Sequence, residues 1–151
     1  MLEVERPADM VAFAGKVLGT SEWLTVDQSV IDRFAEATGD HQWIHVDVER
    51  AKREMPGGKT IAHGWLTLSL VPRLSHGIWR IAKRSRGINY GANKIRFLNP
   101  VTAGSRIRLV QTLKAVEPVE GGQRLIFEAK VEIEGQERPA LIAETIALVY
   151  D

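Results

Sequence analysis

The chain has no cysteine. Disulfides, thiolate metal sites and a cysteine nucleophile are therefore excluded, and the expected location is the cytoplasm. No sign of charge dominates: 20 Lys and Arg face 19 Asp and Glu, for a net charge of +1. That balance gives no general pull toward nucleic acid or an anionic membrane. No apolar run approaches the roughly 20 residues of a membrane-spanning helix. The start, Met1-Leu2-Glu3-Val4-Glu5-Arg6-Pro7, lacks the apolar stretch of a secretory signal. There is no internal repeat and no low-complexity segment. What is present is an ordinary globular composition, 44% apolar and 26% charged over 151 residues, enough for one domain over 1–151 with a real core.

The periodicities predict an α+β fold. Residues 7–16 read as a short helix with Pro7 at its first position, broken by Gly15 and Gly19. Ser21 to Val26 alternates as a strand. Asp27 is an N-cap for a helix over 28–37, with Val30, Ile31, Phe34 and Ala37 at helical spacing. Gly39 suits a left-handed C-cap. Asp40 to Val46 reads as irregular, Asp47 caps a polar helix through Glu54, and Pro56-Gly57-Gly58 is a loop. From Ile61 the chain is apolar nearly all round through Leu74, as in a buried helix, with Pro72 bending or ending it. After Gly87 the period falls to about two. Ile88 to Phe97, Arg106 to Val116, Leu125 to Ile133 and Ala140 to Tyr150 read as strands, with a hairpin turn at Gly121-Gly122. A four- or five-strand antiparallel meander wrapped around the buried helix covers both elements.

The chemistry concentrates in residues 34–74. Asp40 and His45 set an acid and a base five residues apart. Gly64 stands where the apolar helix opens, with amides free to donate to a developing anion. Each residue also has a plainer reading. Asp40 suits a turn after Gly39, His45 a satisfied structural histidine, and Gly64 close helix packing. His63 reads first as structural, holding the helix start, and second as a substrate contact. Asn89 and Asn93 lie in a strand expected over the helix, either along a substrate path or at a bulge. Arg96 and the basic run Arg80, Lys83, Arg84 and Arg86 suit either a phosphorylated ligand or a solvated turn. Asp40, His41 and His45 lack closed zinc-ligand spacing, so no metal is expected.

Phe34-Ala35-Glu36-Ala37-Thr38-Gly39-Asp40-His41-Gln42-Trp43-Ile44-His45-Val46-Asp47 resembles the hydratase motif of the MaoC-like (R)-specific enoyl-CoA hydratases. Ile61-Ala62-His63-Gly64-Trp65-Leu66 resembles the start of that family's central helix. Asn89 to Phe97 and Pro100 to Ser105 resemble the strand and turn that follow. The resemblance covers most of the chain and lies nearest the short, single-hotdog, mycobacterial-type 3-hydroxyacyl-thioester dehydratases. One departure stands out: the family's Asn-Pro between Asp and His is here Gln42-Trp43. The spacing of the pair is kept, and Trp43 is placed to narrow the acyl-pocket wall. The resemblance implies a hotdog fold and reversible addition of water to trans-2-enoyl thioesters. It assigns the water to Asp40 and His45, and it implies no cofactor beyond the CoA or acyl-carrier-protein thioester substrate.

A thioesterase on the same scaffold and a non-catalytic acyl-thioester-binding protein are the competing expectations, because fold alone does not separate them. A sheet of this kind leaves an edge and a face for a second copy. A homodimer with substrate near the subunit interface is expected.

Overall fold

A computed structural model describes all 151 residues. The chain opens with β1 (Leu2–Val4), a 3-10 turn at Pro7–Phe13, β2 (Lys16–Thr20) and β3 (Leu24–Val26). Three helices follow: α1 (Gln28–Thr38), α2 (Trp43–Val46) and α3 (Val48–Glu54). After a 3-10 turn at Pro56–Gly58 come α4 (Gly64–Ser69) and α5 (Val71–Ser75). The remainder is strand: β4 (Trp79–Ile81), β5 (Arg86–Phe97), β6 (Ser105–Val119), β7 (Gly122–Ile133) and β8 (Leu141–Tyr150).

The main sheet runs β2-β6-β7-β8-β5, with β3 also on β6, and every pairing in it is antiparallel. The expected meander holds for β6, β7 and β8 alone. β5 precedes them in sequence yet lies at the far edge, beside β8. A small parallel pair, β1 with β4, was not anticipated. It takes in Arg80, the first of the basic run, and a three-residue strand carries too few alternations to read. Lys16–Thr20 is likewise a strand where Gly15 and Gly19 suggested only a break. Gly19 sits at a shift in register, the setting in which glycine interrupts a strand without ending it.

On β6 to β8 the period of two separates an apolar face from a charged one. Ile107, Leu109, Leu113, Phe127, Ala129, Val131 and Leu141 are buried on the inner face. Arg108 pairs with Glu132, and Lys114 with Glu144, on the outer one. Helices α4 and α5 press Leu66, Val71 and Leu74 into one apolar cluster with Ile107, Leu109, Ala129, Val131 and Leu141. Proline supplies no N–H, and the helix breaks at Leu70, just ahead of Pro72. The helix is not buried all round, as the apolar pattern had suggested. Trp65 stays 60% exposed. This open flank faces the same way as β5, whose outer edge has no partner strand.

Candidate active site

Helix α1 begins on its Asp27 cap, whose carboxylate accepts from the Val30 amide at 2.9 Å, and ends on Gly39 at φ 78°. That left-handed residue turns the chain and presents Asp40. Asp40 also makes the turn expected of it: its Oδ1 accepts from the Gln42 amide at 3.3 Å. The single turn of α2 then carries His45, which is buried.

His45 is held from two sides. Its Nδ1–H donates to the Ile61 carbonyl at 2.6 Å, which leaves Nε2 as a bare acceptor in the neutral ring. Its own carbonyl accepts from Gln28 Nε2 at 2.7 Å, and Gln28 Oε1 accepts from buried Thr60 at 2.5 Å. Ile61 is fixed in turn, since its N–H donates to Ile44 and it bridges to Thr102. Gln28 and Thr60 were missed by the sequence reading. Nothing in their spacing signals a clasp between residues 32 apart.

The His45 pKa lies below the ordinary 6.5. Burial is the largest cause. The Ile61 bond and the Asp40 carboxylate oppose it, and His63 adds to it. His63 stacks on His45 at 3.8 Å between centroids and 24° between planes. Side-chain donors of Asp40, His45 and His63 lie within 4.8 Å of one another. His41 is turned outward, 3.8 Å from Glu36.

Gly64 follows His63 at the start of α4. The first amides with acceptors inside the helix are those of Leu66 and Thr67, both on the His63 carbonyl. The Gly64 N–H precedes them and is one of the donors a helix start leaves over. His45 and Gly64 line the same cavity, of about 260 Å3, with Ile61, Thr67, Phe97 and Val101. The fit at Gly64 is close: a Cβ there would stand 2.8 Å from the Phe97 ring. A larger cavity of about 670 Å3 lies between α4–α5 and β5, lined by Trp65, Leu68, Asn89, Ile95 and Gln111 among others. The Trp65 and Phe97 rings meet edge to face at 5.5 Å, each belonging to one of the two cavities.

The other expected site residues scatter within one chain. Asn89 lines the larger cavity. Asn93 donates to Glu144 at 2.7 Å and takes no part in either cavity. β5 changes register around it, which turns its side chain to the charged face of the sheet. Arg96 reaches only the carbonyl of its neighbour Ile95. Trp43 lies under the Arg50 guanidinium at 4.0 Å and lines neither cavity. Of the basic run, Arg84 reaches the larger cavity, Lys83 pairs with Glu5, and Arg86 covers Tyr150.

The geometry has counterparts among known proteins. The MaoC like domain family matches residues 9–136. The 3-hydroxyacyl-thioester dehydratase Z of Mycobacterium tuberculosis is 47% identical over 147 residues, 97% of each chain. Nodulation protein N of Rhizobium leguminosarum bv. viciae is 47% identical over 145 residues, 94% of this chain and 89% of that one. Among solved structures, the unliganded (R)-hydratase of Pseudomonas aeruginosa superposes with a TM-score of 0.74 at 18% identity, over 91% of this chain and 82% of that one.

Proposed function

The chain belongs to the MaoC-like domain family, and we propose the following chemistry on that footing. The fold is a single hotdog, and the protein is a hydro-lyase. It interconverts (R)-3-hydroxyacyl thioesters with trans-2-enoyl thioesters and water, a reaction of fatty acid metabolism. The observation that carries this reading is the meeting of Asp40 and His45, with the bare Nε2 of His45, beside the Gly64 amide.

In hydration, a water between Asp40 and His45 gives a proton to His45 Nε2 while its oxygen attacks C3 of the enoyl group. The electron pair of the double bond moves to the thioester oxygen, where the Gly64 N–H stabilises it. The proton then passes from the pair to C2. The Asp40 carboxylate orients the water and faces the imidazolium that forms. Water adds without any cofactor, and every step reverses for dehydration. The larger cavity, walled by Leu68, Ile95 and Ile146, has the apolar lining an acyl chain needs. Arg84 at that cavity offers a cation for a nucleotide phosphate.

We also assign the single unit 1–151 to a cytoplasmic homodimer. β5 has a free edge, and Trp65 and Phe97, in contact with each other, are both exposed beside it.

The test is to mix the protein with crotonyl-CoA and follow the conjugated enoyl absorbance. The expected result is loss of absorbance, an (R)-3-hydroxyacyl product and no free CoA. Free CoA without hydration would move the assignment to a thioesterase, and tight binding without turnover to an acyl-thioester carrier.

A further inference from the structure

The two members of the pair are held unequally. His45 has the Ile61 carbonyl at 2.6 Å on its ring and Gln28 at 2.7 Å on its backbone. Asp40 follows a glycine, and its local ties are long. Its amide meets Thr38 Oγ1 at 3.4 Å, and its carboxylate meets the Gln42 amide at 3.3 Å. The shortest polar contact on Asp40 comes from elsewhere: His63 Nε2 lies 2.9 Å from its carbonyl oxygen.

A carbonyl only accepts, so His63 Nε2 carries the hydrogen. In the neutral ring Nδ1 is then bare, and it is buried without a partner. His63 as a whole is only 3% exposed. A buried acceptor left unsatisfied is disfavoured, so stability alone does not account for the imidazole. The ring also stacks on His45 and meets Phe34 at 4.9 Å. Its backbone is fixed by α4, which takes its carbonyl as the first acceptor. His63 lines neither cavity, and its contacts are with the pair.

We propose that His63 is a positioning residue, whose Nε2–H anchors the Asp40 backbone and whose ring backs His45, so that carboxylate and imidazole meet at one water. The proposal rests on the Asp40–His45 reading. It gives the structural expectation for His63 a specific partner, since the side chain ties the start of α4 to Asp40 and makes no cap bond of its own.

Two variants separate bond from ring. His63→Phe keeps the stack and loses the donor. His63→Gln loses the ring but places an amide donor near the same point. His63→Phe is expected to lower kcat about 100-fold with KM within about threefold, as a small misplacement of a reacting group does. His63→Gln is expected to recover at least about tenfold of that loss. Wild-type kcat in His63→Phe overturns the proposal, as does His63→Gln no better than His63→Phe when both melt with the wild type. A third measurement needs no variant: 15N NMR of the wild-type ring at neutral pH. An Nε2–H tautomer supports the anchor, and an Nδ1–H tautomer overturns it even if both variants unfold. If the wild type hydrates no thioester, the hydratase reading falls, while the tautomer still reports on the tie.

Discussion

At the scale of the residue, His45 is a base whose proton affinity is set by where it sits. Burial lowers its pKa below 6.5, against the opposing pulls of Ile61 and Asp40. A base must be bare to act. The hydration rate is therefore expected to stay level at neutral pH and to fall only below pH 6.5, on the acid side of an unperturbed imidazole. The same shift acts on stability with a fixed sign. The unfolded chain binds the proton more readily than the folded one. This group thus leaves stability unchanged well above pH 6.5 and lowers it as pH falls through that value. A profile of kcat/KM against pH, beside an NMR titration of His45, measures both. An acid limb centred above pH 6.5 would contradict the burial argument.

At the scale of the element, the start of α4 is built around the absence of a side chain. The ring of Phe97 from β5 occupies the space a Cβ at Gly64 would need. Gly64→Ala is expected to push that ring and lower kcat by about tenfold or more, as loss of an aligned oxyanion donor does. Phe97→Leu should restore part of the loss, giving a double-mutant cycle that departs from additivity. Additive losses would place the Gly64 effect elsewhere.

The same region shows what the sequence made legible. The cap at Asp27, the αL glycine at 39 and the break ahead of Pro72 all followed from local chemistry, because each depends on a few adjacent residues. The clasp of Gln28 on His45 and the tie from His63 to Asp40 did not. They join residues 17 and 23 positions apart. No periodicity or turn rule encodes which carbonyl a distant side chain will meet. Asn93 stands at a register shift in β5 and its side chain meets Glu144, a placement that alternation alone does not give.

At the scale of the molecule, β5 forms the open side of the sheet. β5 is 12 residues long and pairs on one side only. Beside it lie the larger cavity and the exposed Trp65. Long unpaired strands with apolar side chains invite pairing. The sequence anticipated the sheet and its edge but set β5 within a meander, since strand order depends on where a crossover lands. Ile88 is 45% exposed in the single chain, so Ile88→Asp should leave the fold of one chain intact. It is expected to convert a dimer to monomers in sedimentation and to lower activity with it. A dimer unchanged by Ile88→Asp would place the interface on another face.

Asp40 and His45 are proposed to move, together, the proton for water addition to an enoyl thioester. The most direct measurement is the hydration rate of crotonyl-CoA for wild type, Asp40→Asn and His45→Gln in parallel, with folding checked by melting temperature. Wild-type turnover should fall by about 100-fold or more in each variant, the range for loss of a general acid or base. Full activity in both folded variants would contradict the account, even if the reaction itself proved to be hydration.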